Sequence, residues 1–264
     1  MTAPQPRPGS ESPAAAIERL ERRLGVVRAL AAVAAALGLV AVALAAFALA
    51  RPTPVAPQPT ASATATVAPT TLQMIRTGKP ADAGVAPSGA IVLGAPGKGY
   101  PVLDIYEDFQ CPACASVERT FGPQVDALLA DGRIEVRYHM MSFLDGMLRN
   151  DSSVRAAAGG FCAHEQGKFA AWHGTLFANH PQTEGDGWTD AQLADFAKAA
   201  GLDVTAWSSC VASNKYAQQV TDANELSLAG GVNATPTYKL NGTKLDLQKV
   251  VNLGGLGKVV DANR

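Results

Sequence analysis

Two cysteines separated by a proline and an alanine, Cys111-Pro112-Ala113-Cys114, follow directly on the apolar run at residues 102–109 and open an amphipathic stretch. That placement predicts a dithiol mounted at a strand-to-helix junction. Proline is tolerated in the first helical turn, where the N–H it lacks has no intrahelical partner, and residues three apart on a helix stand about 5–6 Å from each other. A disulfide fits such a gap. The unpaired N–H groups and positive dipole end of a helix start stabilise an anion at the first cysteine far more than at the second, one turn further in. Cys111 is therefore expected to be the nucleophile and Cys114 the resolving thiol, with Pro112 and Ala113 forming the active-site loop. Zinc ligation would need a second ligand pair at metal spacing. Cys162 and Cys210 stand alone, and His139, His164, His173 and His180 are scattered, with Cys162-Ala163-His164 the one close pair.

The chain has 264 residues, 47% of them hydrophobic, above what a disordered polypeptide carries, and one core domain accounts for the length. A formal net charge of -1, with basic residues grouped only in the N-terminal segment, leaves no electrostatic footprint for nucleic acid.

Part of the apolar content is not core. Residues 29–50 are 22 consecutive positions without a polar side chain. At about 1.5 Å of rise per residue such a run crosses about 30 Å of hydrocarbon, which predicts a transmembrane helix. Arg19, Arg22, Arg23 and Arg28 precede it and only Arg51 follows closely, so the positive-inside rule places residues 1–28 in the cytoplasm as a tail and the remainder outside. Ala48-Leu49-Ala50 has the small-x-small form of a cleavage site, but the apolar region exceeds the usual length of a signal peptide, and a retained signal anchor is expected. Either outcome delivers the cysteine pair to an oxidising, extracytoplasmic compartment. Residues 51–71, rich in Pro, Ala and Thr, cannot bury enough surface to fold and are expected to form a disordered, semi-stiff linker.

The folded region is expected to span residues 72–264. Residues 91–94 read as a short strand and 100–109 as a longer one entering the cysteine pair. Val117, Phe121, Val125, Leu128 and Leu129 share one face of the next helix, in which Gly122-Pro123 predicts a kink or break. With residues 133–143 as a further strand, this is a β-α-β unit whose crossover carries the dithiol at its start. Residues 145–230 have helical punctuation throughout and read as a helical insertion, with helices expected over 151–162, 168–177, 189–200, 203–211 and 214–229. In the third of these, Thr189 and Gln192 form a capping box, Leu193, Phe196, Ala197 and Ala200 follow the helical period, and Gly201 ends it. Asn241-Gly242 between residues 237–240 and 243–245 predicts a two-residue hairpin, and a C-terminal helix is expected over 254–262.

The segment Tyr106-Glu107-Asp108-Phe109-Gln110-Cys111-Pro112-Ala113-Cys114, the helical insertion, and Gly231-Val232-Asn233-Ala234-Thr235-Pro236-Thr237 before a hairpin together resemble the DsbA-like thiol:disulfide oxidoreductases of the thioredoxin superfamily. The resemblance covers roughly residues 88–264, and the Pro-Ala dipeptide with a membrane anchor looks most like the actinobacterial branch. It implies a thioredoxin fold of α/β class and a cis-Pro236 facing the dithiol, with Thr235 and Pro236 as substrate-binding residues that present backbone to an extended peptide. The family's buried carboxylate six residues before the nucleophile is absent, because Ile105 stands there. Proton handling would fall to Glu107, Asp108 or water. Four cysteines permit three pairings. With Cys111 and Cys114 taken as the redox pair, Cys162 and Cys210 are left to each other as a structural disulfide, a second redox pair being the alternative. Trp172, Trp188, Trp207, Phe169 and Phe177 are read as core of the insertion before a peptide groove.

The function implied is a membrane-tethered protein dithiol oxidase that introduces disulfide bonds into exported proteins. No cofactor is required by that chemistry, and the implied partner is a quinone-coupled membrane oxidase of the DsbB-like or VKOR-like type. A reductase or isomerase, for instance in cytochrome c maturation, and a non-enzymatic binding module are the competing expectations.

Overall fold

The computed structural model describes residues 72–73 and 82–263 except 182 and 184. The expected tail, membrane span and linker over residues 1–71 lie outside that set, and no helix among the described residues is long and apolar enough to cross a membrane.

Six strands form one mixed sheet in the order β1-β2-β4-β3-β5-β6: β1 (Asp82–Val85), β2 (Ile91–Leu93), β3 (Val102–Asp108), β4 (Glu135–Met141), β5 (Thr237–Leu240) and β6 (Thr243–Lys244). Among the described residues only β3 and β4 pair in parallel, from Val102 opposite Glu135 to Asp108 opposite Met141. The crossover between them is α1 (Pro112–Ala130). Strand alternation puts Leu103, Ile105 and Glu107 of β3 on the closed face, all fully buried, opposite Val136, Tyr138 and Met140 of β4. Glu107 is thus carried into the core by the same period that buries Leu103.

The insertion comprises α2 (Phe143–Leu148), α3 (Ser152–His164), α4 (Phe169–Ala178), α5 (Asp190–Ala199) and α6 (Val204–Ala212), after which α7 (Ala217–Ala229) returns to pack on β4. The capping box of α5 is formed, with the Thr189 hydroxyl accepting from the Gln192 N–H at 3.2 Å and the Gln192 carboxamide oxygen accepting from the Thr189 N–H at 2.8 Å. Trp172 and Trp207, ring centroids 5.0 Å apart, are buried in the middle of the insertion, and Trp188, Phe169 and Phe177 are buried with them.

Two local expectations differ from the structure. Helix α1 runs without a break through Gly122-Pro123, because one missing N–H is tolerated where Phe121, Val125, Leu128 and Leu129 pack firmly against the sheet. Strand β4 stops at Met141 and Phe143 starts a short helix, since Ser142 gives its N–H to Asn224 of α7 and leaves the ladder. The C-terminal helix expected over 254–262 is present as Leu256–Asp261 (α9), and a further short helix not expected from the sequence, α8 (Leu247–Asn252), precedes it across Gly254 and Gly255, both at positive φ. The hairpin turn is of the expected kind: Asn241 and Gly242 both have positive φ, 49° and 80°.

Candidate active site

Cys111 is the N-cap of α1, with extended backbone (φ -79°, ψ 115°), and Pro112 occupies the first turn. Its Sγ accepts from the Cys114 N–H at 3.4 Å, and its thiol lies 3.5 Å from the Thr235 carbonyl oxygen, to which it donates. The Thr235–Pro236 bond is cis. The structure therefore brings Cys111, Pro112, Ala113, Cys114, Thr235 and Pro236 together across 124 residues of sequence. Both active-site cysteines are unpaired, Cys111 at 8% exposure and Cys114 at 0%.

The two thiols are driven apart in acidity. The Cys114 thiol donating to Cys111, followed by the Thr235 side chain and the N–H groups of Cys114 and Ala113, outweighs burial and pulls Cys111 down to about 6. The thiolate is then the favoured form of Cys111 at neutral pH. Burial, reinforced by the Cys111 sulfur and by the charge of Glu107, holds Cys114 well above the ordinary thiol range. The sequence argument rested on the helix start; the larger contribution is the neighbouring thiol.

Beneath Cys114 lies a cluster that sequence reasoning missed in part. His173 of α4 sits between two carboxylates, its Nε2 2.7 Å from Glu107 Oε2 and its Nδ1 3.4 Å from Glu118 Oε1, with all three side chains at 0% exposure. Burial alone would lower the imidazole, but Glu118 and Glu107 overcome it and raise His173 to about 9. A proton on each ring nitrogen accounts for both contacts, and the 2.7 Å separation is that of a charge-assisted hydrogen bond. Gly122 makes room for this arrangement: a Cβ there would stand 2.4 Å from Glu118 Oε1. Glu107 and Asp108, the carboxylates to which proton handling would fall, are both fully buried, because they end a central strand. Two signals were legible, Glu118 four residues after Cys114 on the same helix face and a lone histidine inside the apolar α4. Through Glu107, whose charge acts on Cys114, this acid-base group is coupled to the sulfur that must gain and lose a proton during exchange.

Asp108 ends β3 in a second polar cluster. Burial raises its carboxyl to about 7 against hydrogen bonds from the Ser153 hydroxyl and from the N–H groups of Gln110 and Leu144, with Asp145 adding to the rise.

Cys162 of α3 and Cys210 of α6 are joined by a disulfide, Cα atoms 5.9 Å apart and 48 residues apart in sequence. Closing a loop of that length restricts the unfolded chain. Replacing both by Ala is expected to lower stability by about 2–4 kcal/mol in denaturant titration while leaving thiol exchange at Cys111 intact. A fall in exchange equal to that of a Cys111 variant would show the pair to be redox-active instead.

A parallel β-α-β unit whose crossover helix opens on a dithiol, with a cis-proline loop against the nucleophile, defines a thioredoxin-like fold built for thiol chemistry. A thioredoxin family model matches residues 88–261, and the chain belongs to that family. Among solved structures, oxidised DsbA of Mycobacterium tuberculosis is 32% identical, covering 64% of this chain and 88% of that one, at a TM-score of 0.51. Reduced DsbG of the same organism is 30% identical over 67% of this chain and 93% of that one, at a TM-score of 0.53. The MdbA thiol-disulfide oxidoreductase of Actinomyces oris shares the fold at a TM-score of 0.58, with 22% identity over 67% of this chain and 90% of that one. A curated relative, the serine/threonine-protein kinase PknE of Mycobacterium tuberculosis, is 31% identical over 144 residues, 51% of this chain and 25% of the kinase. The match thus spans a quarter of that relative's length.

Proposed function

We propose that this protein is an extracytoplasmic, membrane-tethered thiol:disulfide oxidoreductase that introduces disulfide bonds into exported proteins. The observation that carries the reading is the opposed acidity of one sulfur pair: Cys111 held near 6 at a helix start, Cys114 held far above it one turn inward. Such a pair makes Cys111 the better leaving group and its disulfide oxidising. The likeness to DsbA and DsbG of Mycobacterium tuberculosis supports the same chemistry.

In the proposed cycle a substrate thiolate attacks Sγ of Cys111 in the disulfide form. The Cys111–Cys114 bond breaks, Cys114 leaves as a thiolate, and it takes a proton at once because its acidity is so low. The Glu107–His173–Glu118 group stands beside it to supply that proton. A second substrate thiolate then attacks the substrate sulfur of the mixed disulfide, forming the product bond and releasing Cys111 as a thiolate. Two electrons pass from substrate to the cysteine pair, one proton ends on Cys114, and the other leaves to solvent. Substrate would lie along the Thr235 backbone, whose carbonyl already meets Cys111. Reoxidation is assigned to a quinone-coupled membrane partner of the DsbB-like or VKOR-like type, with the apolar run at residues 29–50 as the tether and the N-terminus cytoplasmic.

The test is to mix the disulfide form with a reduced, unfolded protein carrying two thiols and to measure the potential of the Cys111–Cys114 couple. Stoichiometric oxidation of the substrate and a potential nearer about −120 mV than about −270 mV are expected. A potential at the lower value would assign a reductase, and the absence of any exchange would reduce the cysteine pair to a structural clip.

A further inference from the structure

Gln110, the residue immediately before the nucleophile, is 2% exposed and sends its whole side chain into the insertion. Its carboxamide forms a reciprocal pair with Asn150: Gln110 Nε2 donates to Asn150 Oδ1 and Asn150 Nδ2 donates to Gln110 Oε1, both at 2.9 Å. The same Nε2 also reaches Asp145 Oδ1 at 2.8 Å and Ser153 Oγ at 2.9 Å, so its two hydrogens serve three acceptors. The backbone is held equally. The Gln110 N–H donates to Asp108 Oδ1 at 3.0 Å, and the Asp108 carbonyl accepts from the Cys111 N–H at 2.9 Å.

The anchors are themselves fixed to the start of α3. Asp145 accepts the N–H groups of Ser153 at 2.8 Å and Val154 at 2.9 Å, and Ser153 Oγ donates to Asp108 Oδ1 at 2.6 Å. Asn150 donates to the Gly185 carbonyl oxygen and accepts the Ser152 N–H, both at 3.2 Å. Every side-chain partner of Gln110 therefore belongs to the insertion, while its own peptide plane runs into Cys111. A part-buried network of this density favours one arrangement over others. The N–H groups of Ala113 and Cys114 stabilise the Cys111 sulfur only while the N-cap geometry is kept.

We propose that Gln110 is a positioning residue for thiol exchange, clasped by Asp145, Asn150 and Ser153 so that the helical insertion sets the orientation of Cys111 at the start of α1. The insertion is then part of the redox site, although it contributes no group to the exchanging sulfurs. The inference rests on Cys111 being the reacting thiol.

The experiment is the ultraviolet titration of the Cys111 thiolate in the reduced full-length protein, read for wild type, Gln110→Ala, Asn150→Ala and the double variant. Gln110→Ala is expected to move the midpoint up by about one pH unit, a tenfold loss of thiolate at a fixed pH well below the wild-type midpoint. Asn150→Ala, which alters nothing adjacent in sequence to Cys111, is expected to shift it in the same direction. The double variant should shift it no further than Gln110→Ala alone, the signature of two residues acting through one contact. Unchanged midpoints in both single variants, with only the thermal transition lowered, would overturn the proposal. So would additive shifts. If Gln110→Ala fails to fold, Asn150→Ala decides alone. Because the titration uses no substrate, it stands apart from whether the protein oxidises other proteins; wild type failing to exchange with a substrate while the variants shift would sink the function and leave the clasp.

Discussion

Reduced Cys114→Ala protein mixed with a disulfide-bearing substrate will accumulate a covalent adduct through Cys111, and Cys111→Ser will accumulate none. The Cys111 thiolate attacks the substrate disulfide, one substrate sulfur leaves as a thiolate, and with no second thiol in the site the mixed disulfide persists. Serine at position 111 offers a hydroxyl that stays protonated where a thiolate stood, and exchange is expected to fall by more than about a thousandfold. Non-reducing electrophoresis with mass spectrometry of the adduct reads both outcomes. Trapping at Cys162 or Cys210, or equal trapping by the Cys111→Ser protein, would show that the reactive sulfur has been misassigned.

The second large effect is on stability. Replacing His173 by Leu removes the imidazolium that lies between Glu107 and Glu118 while leaving both carboxylates buried, and loss of one member of a buried ionic group costs about 3–5 kcal/mol. The pH dependence should change with it. His173 is raised from its usual 6.5 to about 9, so the folded protein binds the extra proton through that interval. Its contribution is fully present below about 6.5 and is lost as pH rises through about 9. Asp108, raised from 3.8 to about 7, adds a decline of the same sign at lower pH. Wild type should therefore lose stability from neutral to alkaline pH, and His173→Leu should lose that slope and recover part of its deficit in acid, where the carboxylates protonate. Denaturant titrations of the disulfide form, in which the active-site thiols do not titrate, separate these terms. A variant as stable as wild type at pH 7 would show that the three groups are not a charged unit.

What could be read from the chain was what neighbouring residues decide among themselves. The dithiol at a helix start, the capping box of Thr189 and Gln192, and the Asn241-Gly242 turn are each set within about four positions. The clasp on Gln110 and the pairing of His173 with Glu107 are not: those partners lie 35 to 43 and 66 residues apart. Nothing in the local pattern of α4 says which face of the sheet its histidine will meet. Strand β1 escaped notice because Asp82-Ala83-Gly84-Val85 has neither alternation nor bulk, and it forms only because β2 offers it an open edge. The Gly122-Pro123 pair was legible as an anomaly, but its meaning, a bare patch of helix against which Glu118 folds, needed the third dimension.

The near-complete enclosure of the reactive sulfur also decides what can approach it. With Cys111 at 8% exposure and the Thr235 carbonyl 3.5 Å away, a cysteine mounted on a rigid, convex surface has no room to bring its own sulfur into line. An extended segment meets that restriction more readily than a cysteine held on a rigid surface. On the proposed function, a thiol so enclosed would react with cysteines on flexible, extended segments in preference to those fixed on a folded surface.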